Sequence, residues 1–404
     1  MKISIFSGGS GNKNLFKAFA KTKNIHELNV IVNGLDDGAS TGDIRRLMDY
    51  KVHGISDFLK TITAFSDDPI IDIMELRFPK NDTFFGRIKL ISILHLFLEE
   101  NIIPPFFSNL KSKPTKKQLN FIRKNLLNFV QNIYKFKEEI VDLSDYKIGN
   151  IIFASLLIKN SLDFKLSIKD FCEICNVKDN IKVIQATNFP LYLIGILKNG
   201  TLLPNEASIV LSRTTDLINK TFQVVNPLTL NQIRKISSLE ISEKLQYLEA
   251  LETKVEASVD TLKSLDSSEL IIYGSGTPYS SILPSLEYLG IVESIATNKC
   301  PKILIANLKK ETDNFLGTSS LIKDIIDFLH KSSTKNYLPE DYITHVLVSS
   351  NNDIENKIIS DIEEIKINYP WITIIQDDFN DLNNIGTHDG YKVLDSIIKI
   401  LNNK

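Results

Sequence analysis

Two loops of small and acidic residues carry the chemistry that this sequence offers. The first loop, Ser7–Asn12, separates a short apolar stretch from an amphipathic one, and the second, Asp36–Asp43, follows the next apolar stretch. A strand, a glycine turn and a helix in succession direct backbone N–H groups and a helix N-terminus to one place, which favours an anion and usually a phosphate. The first loop therefore predicts a phosphate site.

The elements that must position these loops are two strands and a helix. Apolar residues predict a first strand around Ile3 to Phe6, a helix around Leu15 to Phe19 and a second strand around Leu28 to Val32. If the second strand lies parallel beside the first, both loops can face one ligand. The first turn matches neither G-x-G-x-x-G nor a P-loop. A plain strand-to-helix turn, and a turn or helix cap at Asp36-Asp37-Gly38, are therefore the alternatives.

A third loop, Gly274–Pro278, repeats this arrangement. It follows an apolar strand and precedes a helix, and it adds hydroxyl groups that can donate to phosphate or ribose or can cap the helix. Further short apolar runs begin at Lys302, His345 and Trp371 and alternate with helical patterns, as in a parallel α/β sheet. We expect a Rossmann-like three-layer α/β fold with a mostly parallel sheet.

Three isolated residues have both a structural and a functional interpretation. Asp57 is either the cap of a helix or a carboxylate near the phosphate site. Asn150 opens a buried helix, where it either caps a turn, which the local sequence favours, or contacts ligand. His388 precedes Asp389 and a final helix. It is either a residue without a role of its own beside the residue that caps this helix, or a site residue.

We expect a single domain that spans residues 1–404 and contains two additional segments. Residues 79–147 have apolar positions at helical spacing and predict a helical insertion. Residues 182–213 contain two apolar runs and the hairpin signal Asn199-Gly200, and they predict a small β flap that ends near Arg213.

Composition excludes several classes of protein. The chain has 404 residues, of which 43% are apolar and 24% charged, and its net charge of -2 argues against nucleic acid as a partner. Its apolar runs are too short to span a bilayer, and the first residues do not form a signal peptide, so we expect a cytoplasmic protein without a membrane partner. None of the six histidines is paired at metal-ligand spacing.

Taken together, the motifs resemble the CofD/YvcK family. The matching segments appear in family order across nearly the whole chain, and the stretch from Gly274 to Pro284 is the most specific of them. That stretch is closer to the YvcK-type gluconeogenesis factors, as is Asn307 with Glu311-Thr312. The other matching segments are Gly8–Gly11, Asp36–Gly42, Ile148–Asn150, Asn199-Gly200 with Glu206, and His388-Asp389.

The resemblance implies a ligand containing a nucleoside diphosphate, such as a nucleotide sugar. It also implies Mg²⁺ on Asp37 and Asp57, which would be the catalytic carboxylates, and a homodimer. The residues that it places against the nucleotide ligand are Gly8, Gly9, Ser10, Gly11, Asn12, Asp36, Gly38, Ser40, Thr41, Asn150, Gly274, Ser275, Gly276, Thr277, Ser280, Ser281 and His388.

Two functions follow from this resemblance. The first is a metal-assisted transferase like the 2-phospho-L-lactate transferase, which moves a phosphorus-containing group from a nucleoside-diphosphate donor to a hydroxyl acceptor. The second is a non-enzymatic regulator that binds a UDP-sugar, as the YvcK type does. The YvcK branch carries Gly-Asp-Ile-Arg-Asn where this chain has Ser56-Asp57-Phe58-Leu59-Lys60. The ligand of this chain therefore need not be identical to that of the YvcK branch.

Overall fold

The computed structural model describes residues 1–23, 25–78, 115–136, 143–211, 216–309, 317–350 and 361–402. These residues form two compact units. The sheet unit comprises Met1–Leu35 and Lys178–Lys404, and the helical unit comprises Asp36–Val177.

The sheet unit contains a seven-stranded sheet and a three-stranded sheet. Its strands are β1 (Lys2–Phe6), β2 (Glu27–Val32), β3 (Ile181–Gln185), β4 (Tyr192–Leu197), β5 (Leu202–Leu203), β6 (Ile218–Val224), β7 (Leu270–Tyr273), β8 (Lys302–Ile305), β9 (His345–Ser349) and β10 (Thr373–Asp377). Its α-helices are α1 (Lys13–Lys21), α8 (Glu206–Leu211), α9 (Leu230–Ser237), α10 (Ile241–Leu251), α11 (Val259–Asp266), α12 (Ile291–Thr297), α13 (Thr318–Ser332), α14 (Ile362–Asn368) and α15 (Gly390–Asn402).

The large sheet is parallel throughout and has the order β10-β9-β8-β7-β1-β2-β3. Helices flank it to give the expected three-layer α/β fold. Strands β1, β7 and β8 are buried along nearly their whole length, which explains why they read as continuous apolar runs rather than as alternating ones. Because β2 pairs with β1 in parallel, the carboxyl ends of these two strands lie at the same edge of the sheet.

The small sheet is antiparallel, with β4 between β5 and β6. The hairpin predicted at Asn199-Gly200 is confirmed, since these residues connect β4 to β5 and Gly200 has a φ of +85°. The first run of the predicted flap lies elsewhere, because β3 pairs with β2 in the large sheet. The antiparallel sheet therefore begins at Tyr192 rather than at residue 182, and Arg213 lies outside the described residues.

The helical unit is built from helices that pack around an aromatic core. The helices are α2 (Ala39–Leu47), α3 (Ser56–Ala64), α4 (Ile70–Glu75), α5 (Lys116–Phe136), α6 (Ile148–Lys159) and α7 (Phe164–Ile174). The ring of Phe164 contacts the rings of Phe58 and Phe153 at centroid distances of 5.0 and 5.3 Å. The ring of Phe153 also contacts that of Phe171, at 5.6 Å. Aromatic pairs at this distance contribute beyond the area that they bury.

The predicted insertion at 79–147 falls largely on residues that are not described. The described part includes α5, whose apolar positions have the helical spacing that the sequence predicted. The next helix, α6, is buried from Ile148 to Leu157, which confirms the buried helix predicted around Asn150. Among the described helices, none is both long and apolar enough to cross a membrane.

Candidate functional site

The order of the large sheet reverses between β1 and β7. From β1 the chain proceeds to β2 and β3 on one side, and from β7 it proceeds to β8, β9 and β10 on the other. Ligands of open α/β sheets bind outside the carboxyl ends of the strands at such a switch point. The two glycine turns, Ser7–Asn12 and Gly274–Thr277, follow β1 and β7 directly, so both lie at this switch point.

The side chain of Asn12 joins the two turns. Its Nδ2 donates to Ser7 Oγ and to the Ser275 carbonyl oxygen, both at 2.9 Å. Its Oδ1 accepts from the Ser275 amide at 3.0 Å and from Ser275 Oγ at 3.1 Å. Asn12 is only 1% exposed, so these four bonds replace water completely. Asn12 therefore fixes the geometry of both turns from within.

Glycine is required where the two turns approach each other. A Cβ atom on Gly11 would lie 2.6 Å from the Ser275 carbonyl oxygen, and a Cβ atom on Gly8 would lie 2.4 Å from Ser281 Cβ. Such distances are shorter than any van der Waals contact, so a side chain would force the turns apart. Gly9 has a φ of +61°, and Ser10 and Gly11 are exposed at the tip of the first turn.

Two asparagines support the second turn. Asn33, after β2, donates from Nδ2 to the carbonyl oxygens of Ser280 and Ser281 at 3.0 and 2.7 Å. Asn307, after β8, accepts from the Gly276 amide at 3.1 Å and donates to the Gly276 carbonyl oxygen at 2.9 Å. Asn33 was not predicted as a site residue, and Asn307 was noted only as part of the resemblance to the YvcK type. Asn33 directly follows β2 and Asn307 lies two residues beyond the end of β8, on either side of the switch point, and that position is the signal that could have found them.

His388 occupies a buried position next to the end of β8. Its imidazole donates from Nε2 to the carbonyl oxygen of Ala306 at 3.0 Å. The following residue, Asp389, accepts at Oδ1 from the amides of Tyr391 and Lys392, which confirms the predicted helix cap. Asn14 donates to the His388 carbonyl oxygen at 2.9 Å, so this segment is anchored to α1 as well. These contacts give His388 a role in holding α15 to the sheet.

Burial lowers the pKa of His388 from 6.5 to about 4, and the bond to Ala306 opposes this only in part. The folded protein thus favours the neutral imidazole. The contribution of His388 to the free energy of unfolding is therefore complete above pH 6.5 and is lost as the pH falls toward 4. The difference in pKa corresponds to about 3 kcal/mol at pH 4. We expect the free energy of unfolding of His388→Gln, measured by denaturant titration from pH 7 to pH 4.5, to fall less steeply than that of the wild type. Parallel curves would contradict this assignment.

Asp36 and Asp57 interact within the helical unit. Burial raises the pKa of Asp36 to about 6, and the charge of Asp57 raises it as well, whereas Lys60, a hydrogen bond from Thr41 and the Gly38 amide lower it. Lys60 Nζ lies 3.0 Å from Asp57 Oδ1. Asp57 lies in the first turn of α3, which begins at Ser56 without a side-chain cap, so the cap interpretation of Asp57 is wrong.

Asp37 has a different set of neighbours from Asp36. Burial raises its pKa, while Arg45 and Arg46 lower it. Arg45 Nη1 is 3.9 Å from Asp37 Oδ1, and the Arg45 side chain is fully buried. The carboxylate that acts on Asp36 is thus Asp57, whereas the opposite charges that act on Asp37 are the two arginines of α2.

Asn150 and Ser40 contact each other in the same unit. Asn150 Nδ2 donates to Ser40 Oγ at 2.9 Å, and Asn150 Oδ1 is buried without a hydrogen-bond partner among the residues that the structure describes. Since the Asn150 side chain donates to Ser40 in α2 rather than to a backbone group of its own turn, the prediction that Asn150 caps a turn is wrong. Gly38, Ser40 and Thr41 form the start of α2.

The residues fit a divalent ion only with help from a ligand. Within the described ranges, no group of three or more His, Cys, Asp and Glu side chains is placed to hold a metal. Mg²⁺ often binds through one or two carboxylates together with phosphate oxygens and water. Asp57 and a neighbouring aspartate would supply these two carboxylates. The ammonium of Lys60, however, already neutralises the negative charge of Asp57.

The fold and these motifs define a class of protein. Residues 3–376 match the model of the family described as 2-phospho-L-lactate transferase CofD. The chain belongs to the CofD family, which confirms the resemblance seen in its sequence.

Among curated relatives, the chain is similar to the gluconeogenesis factors of Listeria monocytogenes and Bacillus subtilis. The Listeria protein is 23% identical, and the alignment covers 100% of this chain and 96% of that protein. The Bacillus protein is 20% identical, with 99% and 98% covered. A crystal structure of a UPF0052 family member from Bacillus halodurans has a TM-score of 0.66 at 18% identity and covers 98% of both chains. That likeness supports the fold.

Proposed function

We propose that this protein binds a nucleotide sugar at the switch point of its sheet unit and acts as a non-enzymatic regulator of the gluconeogenesis-factor type. The Asn12 network supports the binding step, because it fixes two turns whose backbone groups can receive a diphosphate. The expected contacts come from the first turn, from Gly274–Thr277 and from Ser280 and Ser281. The protein would then signal through a partner protein.

The ion pair between Lys60 and Asp57 is the observation that favours a regulator. A lysine at 3.0 Å from Asp57 supplies the positive charge that a transferase would take from its metal. Displacing that ammonium costs part of the free energy gained by binding the metal. We therefore infer that the ligand is bound without a requirement for Mg²⁺. The curated relatives named above, which match this chain over nearly their whole length, are both named gluconeogenesis factors.

A transferase remains the second candidate because the family model carries that name. In that case Mg²⁺ would be held by Asp57 together with Asp37 or Asp36 and by phosphate oxygens of the donor. The ion would stabilise the leaving nucleotide.

The two candidates differ in whether the bound ligand is consumed. Purified protein is incubated with UDP-sugars, and separately with GDP-linked donors and hydroxyl acceptors, with and without Mg²⁺, and the nucleotides are followed by ³¹P NMR. A regulator returns its ligand intact, with or without Mg²⁺ and with or without the Asp37 carboxylate. Release of free nucleotide that needs Mg²⁺ and is abolished by Asp37→Ala would overturn the regulator in favour of the transferase.

A further inference from the structure

The phenol of Tyr279 joins the segment after the second glycine turn to helix α13. Tyr279 lies between Pro278 and Ser280, and its hydroxyl donates to Asp324 Oδ2 at 2.7 Å. Both side chains are half-buried, and both residues belong to the sheet unit although 45 positions separate them in the sequence. A carboxylate on α13 therefore contacts the segment that carries Ser280 and Ser281.

The backbone around Tyr279 has an unusual geometry. Residues Pro278–Ile282 form a single π-helical turn, and the amide of Leu283 donates to the carbonyl oxygen of Pro278. Turns of this kind are rare and occur frequently at functional sites. Because a rare backbone geometry depends on the side chains that hold it, the contact of Tyr279 with Asp324 matters for the shape of the candidate site.

Helix α13 holds Asp324 in a fixed position. Its neighbours on the helix, Leu321 and Ile325, are buried in the core of the sheet unit. The same core contains Leu283 and Leu286, which follow the π-helical turn, and α13 packs against this segment. The bond from the phenol thus adds a polar contact to an apolar interface that already fixes the helix beside the turn.

The environment of the pair makes Tyr279 the donor and Asp324 the acceptor. Burial raises the pKa of Tyr279, and the charge of Asp324 raises it further, so the phenol keeps its proton. Burial also raises the pKa of Asp324, whereas the hydrogen bond from Tyr279 and the charges of Lys323 and Lys331 lower it. A hydrogen bond to an ionised acceptor is about twice as strong as one between neutral groups.

We propose that Asp324 is a positioning residue for nucleotide-sugar binding, which through the Tyr279 hydroxyl holds the π-helical turn in the shape that presents Ser280 and Ser281 to the ligand. This inference rests on the proposed function, which places the ligand at this turn. The three asparagines described above support the site from the loops that follow the strands. Asp324 supports it from a helix, without contact to the ligand.

Direct contact between the phenol and the ligand is the alternative role for Tyr279. A phenol has a single proton, and that of Tyr279 is donated to Asp324. The oxygens of a diphosphate only accept hydrogen bonds, so a phenol held in this way has no proton to give them. The positioning role therefore requires the Asp324 carboxylate, whereas direct contact with the diphosphate does not.

Calorimetric titration of the full chain measures the effect of Asp324 on affinity. UDP-glucose, UDP-N-acetylglucosamine and GDP-mannose are screened, and the nucleotide sugar that the wild type binds most tightly is the probe. We expect Asp324→Ala and Tyr279→Phe each to weaken its binding by about tenfold, which corresponds to about 1.4 kcal/mol. Because the two side chains act as one unit, the double variant should bind no more weakly than either single variant.

Two further variants separate positioning from a general effect on folding. Asp324→Asn retains an acceptor oxygen and should restore the affinity to within about threefold of the wild type. Asp327→Ala removes a carboxylate from the same helix, one that pairs with Lys323, and should bind as the wild type does. Thermal unfolding of each variant is followed alongside, and if Asp324→Ala does not fold, Asp324→Ser, whose hydroxyl is too short to reach the phenol, replaces it.

Several results would overturn the inference. An Asp324→Ala variant that loses thermal stability but binds as tightly as the wild type would show a purely structural role. Weaker binding in Tyr279→Phe alone, or additive losses in the double variant, would assign the phenol to the ligand instead. In these cases the wild type still binds and the proposed function stands, whereas a wild type that binds none of the three nucleotide sugars would refute both.

Discussion

Replacing Asn12 by alanine is expected to lower the free energy of unfolding by about 3 kcal/mol and to reduce nucleotide-sugar affinity by about 100-fold. The substitution removes four hydrogen bonds at a fully buried position. It leaves the Ser275 amide and carbonyl oxygen without these bonds, and buried polar groups left unpaired cost about 1–3 kcal/mol each. The turns after β1 and β7 then lose their shared support, so the geometry of the phosphate site is lost.

Denaturant titration and calorimetry of the same preparations measure both effects. Asn402→Ala, at an exposed position near the end of α15, is the matched control and should behave as the wild type. If Asn12→Ala lost stability but kept the wild-type affinity for nucleotide sugars, the switch point would not be the ligand site.

Replacing Lys60 by methionine is expected to make the protein respond to Mg²⁺. Methionine keeps most of the length of the side chain but removes the ammonium at 3.0 Å from Asp57. Asp36 and Asp57 then repel each other more strongly, and the pKa of Asp36 rises further. A divalent ion becomes the natural counter-charge, so Mg²⁺ at about 100 times its Kd should add about 2.7 kcal/mol of stability to the variant.

Thermal unfolding with Mg²⁺ and with EDTA measures this response. Lys60→Arg retains the charge and should resemble the wild type, which we expect to show little change. A wild type that Mg²⁺ stabilises as strongly as it stabilises Lys60→Met would show that the lysine does not replace a metal.

The strand and turn elements of the site were predictable because they are local. The apolar run that ends at Phe6, the small residues that follow and the helical spacing after Asn12 are contiguous in sequence. The same holds for the run that ends at Tyr273. The sequence predicted that both glycine turns lie at the carboxyl ends of parallel strands. It did not predict that the two strands, β1 and β7, are neighbours in the sheet.

The partners of individual side chains were not predictable in this way. Asn12 meets Ser275 across 263 positions and Asn150 meets Ser40 across 110, and no local pattern encodes such pairs. Adjacent aspartates point differently in a loop, so the sequence could not tell that Asp36, rather than Asp37, would interact with Asp57. Likewise, the apolar run at residues 182–186 fits either sheet, and only its pairing with β2 assigns it to the large one.

The most direct test of the proposed function is a calorimetric titration of the wild type with UDP, GDP and UDP-sugars, in the presence of Mg²⁺ and again in EDTA. We predict that an intact UDP-sugar binds with similar affinity in both buffers and is recovered unchanged after the titration. Binding of a nucleoside diphosphate that is lost in EDTA, or cleavage of the ligand during the titration, would contradict the account.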